Sequence, residues 1–220
     1  MTALERNDDG LIERLVQRFL YVFPAMDTRE QRVALTMYRL LARGRGVTAG
    51  QAAADCGETP ALVQTCLARW PGIVWDGPAV VGFWGLAAGA VSRHRMRVEG
   101  CTLHTWCAWD TLFIPPLLGH NAQVTSTDPV SGAVVTLTVT PEGVRDLSPA
   151  GAVLSMLEPR AEMIEDIRGR LCRYIHLFAD PDAGAAWTRQ HPDTLLLSVD
   201  DGFELGRRRN LSRFADVLGR

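Results

Sequence analysis

In the first third of the chain, apolar residues recur every three to four positions, the spacing of amphipathic helices. A helix is predicted over residues 10–23, capped by Asp8 and Asp9, with Leu11, Leu15, Phe19 and Val22 on its stripe and Pro24 interrupting it. Asp27-Thr28-Arg29-Glu30 is an acidic form of the capping box. It opens a second helix, to Arg43, whose inner face is Val33, Met37, Leu40 and Leu41. Thr48-Ala49-Gly50-Gln51 opens a short alanine-rich helix that stops at Gly57. Thr59-Pro60 starts a fourth reaching Trp70, with Thr59 as cap and Pro60 at its first position. Residues 73–75 and 79–83, split by Asp76-Gly77-Pro78, read as a hairpin.

The remainder mixes strand and helix patterns. Residues 93–99 alternate charged and apolar side chains, and 101–105 suit a strand. Residues 103–115 are ambiguous by period, but Pro115-Pro116 favours a helix that stops there. Residues 123–127 and 133–140, rich in Val and Thr, predict an antiparallel hairpin around Asp128-Pro129-Val130-Ser131-Gly132. Further strands are expected at 144–147, 152–157, 171–178 and 194–199, and helices at 159–170, 181–190 and 202–218. The fold class is α+β. A helical, winged-helix-like N-terminal domain spans residues 1–90, and a mixed core of mainly antiparallel strands with helices spans 91–220.

At 220 residues and a net charge of -2, the composition is that of a globular protein with a sizeable core. Every cationic side chain other than histidine is arginine, which gives no functional information. A winged helix raises the question of DNA, but the fourth helix offers only Gln64, Thr65 and Arg69, too few for a phosphate footprint. No nucleic-acid partner is expected. The polar start lacks the basic flank and apolar core of a signal peptide, and no run is long enough to span a bilayer. A cytoplasmic location with no membrane partner is expected, where thiols stay reduced. Five cysteines at irregular spacing, without a CxxC, argue against a disulfide framework or a zinc ribbon.

Among those cysteines, Cys56 and Cys66 sit on small apolar helices and read as packing, and Cys101 begins a strand. Cys107 is different, because Asp110 follows three residues later. On a helix the thiol and carboxyl would share a face, as a soft-metal site or an activated nucleophile. Cys172 is the second candidate. On a strand it would share a face with Tyr174 and His176. Cys107 with His104 or His176 could form a thiol hydrolase, although no glycine-rich elbow surrounds it. Arg207-Arg208-Arg209 could bind an anion, but on a terminal amphipathic helix it reads as a solvated face.

Trp106-Cys107-Ala108-Trp109-Asp110-Thr111-Leu112-Phe113-Ile114-Pro115 resembles the W-C-A-x-D-T-L-x-x-P signature of the organomercurial (alkylmercury) lyases. Cys172-Arg173-Tyr174-Ile175-His176-Leu177-Phe178-Ala179 resembles that family's second cysteine segment. The 124–139 hairpin, the Pro149-Ala150-Gly151 turn and Gly202-Phe203-Glu204-Leu205-Gly206 are also similar. The likeness covers residues 98–206 well and the helical N-terminus in outline. His104, where many relatives have tyrosine, Arg173, where some have a further cysteine, and a 125–128 turn lacking the cysteine some relatives have there are departures that remove no group the chemistry needs.

The resemblance implies protonolysis of a carbon–mercury bond by Cys107, Asp110 and Cys172, in mercury resistance. The two thiols would bind mercury and Asp110 would relay the proton. An ordinary aspartate is ionised at neutral pH, with pKa ~3.9. Asp110 would therefore take its proton from a thiol that mercury displaces, or be raised by burial. The first route is preferred here. Hg(II) would stay on both sulfurs, with Asp110 as a further ligand. No organic cofactor is implied, and exogenous low-molecular-weight thiols or a mercuric reductase would take the ion. Trp106 and Trp109 would be apolar walls or plain core. The alternative is a mercury- or copper-binding sensor built on the N-terminal module, with the cysteines used for capture only.

Overall fold

The apolar stripes of the first third are buried along the helices they predict. The structure is a computed structural model that describes residues 9–218. Asp8, one of the two expected caps, and the polar start before it lie outside the described residues. α1 (Asp9–Val22) buries Ile12, Leu15, Val16 and Phe19, so its stripe centres between the expected Leu11/Leu15 and Phe19/Val22 positions. α2 (Thr28–Leu41) has both halves of its capping box. The Glu30 N–H donates to Asp27 at 2.8 Å, and the Asp27 N–H donates to Glu30 at 3.1 Å. β1 (Val47–Thr48) leads to α3 (Ala49–Cys56), which closes on left-handed Gly57. α4 (Pro60–Arg69) follows with Thr59 as cap.

β2 (Ile73–Asp76) and β3 (Ala79–Phe83) pair antiparallel, as the hairpin pattern predicts. This hairpin is not a free wing. β4 (Leu86–Ala87) pairs with β3 on one side and, on the other, with β6 (Cys101–Thr105), which itself pairs with β5 (His94–Val98). α5 (Asp110–Leu118) follows, then β7 (Ala122–Thr127), β8 (Val134–Thr140) and β9 (Gly143–Ser148). Among the described residues these strands form one nine-stranded sheet, in order β1-β3-β4-β6-β5-β7-β8-β9 with β2 on β3. The sheet therefore runs without a break from the helical first third into the remainder. β10 (Val153–Leu157), a 3-10 turn (Ala161–Asp166), α6 (Ile167–Arg170) and β11 (Leu177–Phe178) come next, followed by α7 (Pro181–Gln190), β12 (Thr194–Ser198) and α8 (Val199–Arg213). A three-stranded sheet, β11-β10-β12, completes the α+β fold.

Four expected elements differ, and one of them, the helix expected over 159–170, is a 3-10 helix at Ala161–Asp166 and α-helical only at Ile167–Arg170. The central helix does not stop at Pro115-Pro116 but ends at left-handed Gly119, whose N–H reaches both proline carbonyls. The prolines leave two helical carbonyls without N–H partners. The helix persists because its residues are buried on nearly all sides, including Leu112, Phe113, Ile114 and Leu117. The strand expected over 171–178 is a 3-10 turn at Cys172–Tyr174, with β structure only at Leu177–Phe178, so Cys172, Tyr174 and His176 do not alternate along one face. The last helix begins three residues early, because Ser198 accepts the Asp201 N–H at 3.0 Å and Asp200 and Asp201 occupy its first turn. Among the described residues no helix is long and apolar enough to cross a membrane.

Candidate active site

The chain leaves β6 through a turn fixed from both sides. Thr105 Oγ1 donates to the Cys107 carbonyl at 2.9 Å, and the Trp106 N–H donates to the Gly85 carbonyl at 2.8 Å. Cys107 thus precedes α5 rather than lying in it. Asp110 nevertheless reaches back, since its Oδ2 accepts the Cys107 N–H at 2.7 Å. A capping-type hydrogen bond, not the helical repeat, puts thiol beside carboxyl.

Cys172 arrives from the other side, on the 3-10 turn. The Ala108 N–H donates to the Ile175 carbonyl at 3.2 Å and ties the two stretches together. Buried Ser155 holds the same turn, with Oγ donating to the Tyr174 carbonyl at 2.7 Å and accepting the His176 N–H at 2.9 Å. The result is a compact group. One ligand atom each from Cys107, Asp110 and Cys172 lies within 4.8 Å of the others. Their residues are only 1%, 5% and 5% exposed.

Burial dominates the electrostatics. It pushes the Asp110 carboxyl up to about 7, against lowering by hydrogen bonds from Cys107 and by the charge of Arg209. Of the two routes weighed from the sequence, the structure favours raising by burial, the one not preferred there. Burial also pushes the Cys107 thiol well up, reinforced by its hydrogen bond with Cys172 and by Asp110. For Cys172 the hydrogen bond from Cys107 is the largest influence and lowers it, but burial and the Asp110 charge together outweigh that and leave it raised. Both thiols are protonated at rest, so metal binding releases protons inside the site.

A cavity of about 30 Å³ lies against the group, walled by Trp106, Trp109, Phe113 and Ile175 among others. Trp106 and Trp109 are thus both wall and core: Trp109 packs 4.3 Å from the Phe19 ring and donates to the Gly202 carbonyl at 2.9 Å. Trp106 and Cys172 also line an open groove of about 800 Å³.

Among the described residues the group contains no histidine. The His176 ring instead lies 5.0 Å from Trp187, with Nε2 2.8 Å from the Arg173 carbonyl, and His104 sits on β6 opposite Arg95. Cys56, Cys66 and Cys101 are free thiols outside the group. Of the DNA-facing candidates, Arg69 is ion-paired with Glu30 and Thr65 is bonded to the Ala61 carbonyl.

Two residues escaped the sequence reading. Arg209 is not on a solvated face. It is buried with its guanidinium 4.7 Å from the Phe113 ring centre, where its charge acts on Asp110. Gly85, at φ +100, faces Asp110 so closely that a Cβ would overlap the carboxylate. The break in alternation before Leu86 hints at the glycine, but nothing local marks Arg209.

The family model for alkylmercury lyase matches residues 89–209. Alkylmercury lyase from Streptomyces lividans is 40% identical over 171 residues, covering 78% of each chain. That from Pseudomonas putida is 37% identical over 172 residues, covering 78% of this chain and 80% of its own. The chain belongs to the alkylmercury lyase family. A solved relative in fold, the crystal structure of the mercury-bound form of MerB2, superposes with a TM-score of 0.73 at 20% identity, covering 94% of this chain and all of that one. The span matched by the alkylmercury lyase model contains Cys107, Asp110, Cys172 and Arg209. Phe19, Trp84 and Gly85, which close the site, come from the preceding segment.

Proposed function

We propose that this protein cleaves the carbon–mercury bond of alkyl- and arylmercury compounds, giving a hydrocarbon and Hg(II), as part of mercury resistance. One observation carries the reading: two buried thiols and a carboxyl close to within 4.8 Å of one another. Thiolates are preferred ligands of soft metal ions, and mercury is among the softest. A substrate R–Hg–X exchanges X for one cysteine sulfur, and that thiol's proton leaves as HX. The second sulfur then binds mercury. If that sulfur is Cys107, which is hydrogen-bonded to Asp110, its proton has a receiver at once. Two thiolates on mercury push electron density toward carbon, and the protonated Asp110 delivers the proton there as a general acid. R–H departs and Hg(II) remains on Cys107 and Cys172, beside the ionised Asp110.

The step balances: two thiol protons end on R and X, two sulfur–mercury bonds form, and the bonds of mercury to R and X break. No organic cofactor enters. Hg(II) would leave to low-molecular-weight thiols or a mercuric reductase. Trp106, Trp109 and Phe113 keep water away and give the organic group an apolar wall.

The test is to incubate the protein with phenylmercury and excess thiol and measure benzene by gas chromatography. Turnover is expected, with loss in Cys107→Ser, Cys172→Ser and Asp110→Asn separately. Stoichiometric capture of phenylmercury without benzene would sink the reading in favour of a sensor.

A further inference from the structure

The groove outside Cys172 has a charge pattern that the bond-cleaving chemistry does not use. Arg93, Arg168 and Arg173 line its walls, all exposed, together with Asp166. Several arginines elsewhere are paired to carboxylates, as Arg32 is to Glu58 and Arg207 to Glu204. Among the described residues these three have no carboxylate within ion-pair distance. Arg168 lies 6.0 Å from the Trp106 ring and Arg173 5.1 Å from the Tyr174 ring. The Asp166 carboxylate is occupied by the Gly169 N–H at 2.9 Å as the cap of α6. His94 and His176, also in the wall, are buried or half-buried and held neutral, so they add nothing to the positive charge, which comes from the arginines alone. The groove therefore presents excess positive charge around the one wall residue that is also a thiol of the buried group.

Its volume of about 800 Å³ suits a ligand of tripeptide size, within the usual range for small-molecule sites. Soft mercury in a thiol-containing solution travels as thiolate complexes. A ligand that brings or removes mercury here should thus carry a sulfur for Cys172 and anionic groups for the arginines.

The geometry points to this groove as the binding site for low-molecular-weight thiols that carry carboxylates, and for their mercury adducts. The inference rests on the lyase reading above and adds the place and chemical class of the exchanging thiol. On entry, the adduct R'S–Hg–R meets Cys172. A Cys172 sulfur–mercury bond forms, the R'S–Hg bond breaks, and the Cys172 proton leaves on R'SH. On exit, two R'SH replace the cysteines on Hg(II), returning a proton to each sulfur and leaving as R'S–Hg–SR'. Neither exchange needs an oxidant or reductant. Carboxylates gripped by arginine hold the sulfur of the small thiol beside Cys172, which turns a chance encounter into a positioned exchange.

S-methylglutathione, whose blocked sulfur cannot bind mercury, tests the site apart from turnover. Calorimetric titration of the full-length protein should give saturable binding that weakens with added salt. The Arg93→Gln/Arg168→Gln/Arg173→Gln variant should bind at least tenfold more weakly. In benzene release from phenylmercury, glutathione should outpace 2-mercaptoethanol at equal concentration, with that ratio falling toward one in the variant. No heat from S-methylglutathione at millimolar concentration, or salt-independent binding in the native protein, would overturn the groove assignment whatever the variant does. Absence of benzene with either thiol, while S-methylglutathione still binds, would overturn the lyase reading instead.

Discussion

Gly85 and Asp110 show how much of the site depends on a single atom. A Cβ at position 85 would overlap the Asp110 carboxylate, and φ there is +100. Gly44 has a similar φ of +75 but no neighbour within 4 Å. Both Gly→Ala changes place a side chain in the left-handed region and should cost about 1 kcal/mol or more of stability. Only Gly85→Ala should also displace Asp110, the proposed proton carrier, lowering benzene formation by roughly a hundredfold, the scale of a 1 Å misplacement. Equal activity in the two variants would refute the contact.

Asp110 itself sets a pH dependence. Its pKa is about 7 in the fold against an ordinary 3.8. Below the lower value it is neutral in both folded and unfolded chains and costs nothing. Between 3.8 and about 7 the unfolded chain ionises while the folded carboxyl stays neutral, so stability on the order of 4 kcal/mol is lost across that window and the loss is complete above it. Asp110→Asn should therefore be more stable than the native protein at pH 8, with the gap closing toward pH 4, as read from urea midpoints. That Cys107, Asp110 and Cys172 belong together was legible because their types and local motifs are unusual, and the fold does bring them within 4.8 Å of one another. Gly85 and Arg209 were not, because each acts on Asp110 from a separate element.

At the scale of elements, the sequence pattern located the helices and most of the strands, and two of its errors have a common cause. Pro115-Pro116 and the branched, aromatic run at 171–178 carry strong local signals that burial and turn hydrogen bonding override. The second override matters to the site, since a 3-10 turn places Cys172 against Cys107 while Ser155 fastens its carbonyl and N–H groups. Ser155→Ala leaves the half-buried His176 N–H without that acceptor and should cost about 1 kcal/mol. The loosened turn should also expose Cys172, which is 5% exposed, to a chromogenic thiol reagent. Faster labelling of Cys172 in native buffer is the expected result. An unchanged labelling rate with lowered stability would mean that the turn is held by its other contacts.

For the whole molecule, the question is whether residues 91–220 can act alone, as the sequence division at residue 90 suggests. The contacts cross that boundary at several points. β4 supplies β6 with its neighbour, registering Leu86 on Thr105 and Ala87 on His104. Phe19 packs on Trp109. Arg213, from the last helix, lies 4.6 Å from the Trp84 ring and bonds the Pro24 carbonyl at 3.0 Å. Removing residues 1–90 would open the sheet at β6, an exposed edge prone to pairing with other chains. It would also uncover Trp109 and the buried guanidinium of Arg209. The 91–220 fragment is therefore expected to aggregate, or to stay soluble without releasing benzene from phenylmercury, while binding ANS more strongly than the full chain. Adding a separately expressed 1–90 segment should restore turnover only if the two refold together. A monomeric 91–220 fragment that turns over at a tenth of the native rate or better would show that the helical segment is a cover. That segment is instead expected to be a structural half of the site, since the sheet, the aromatic wall and the glycine opposite Asp110 all reach the Cys107–Asp110–Cys172 group from before residue 90.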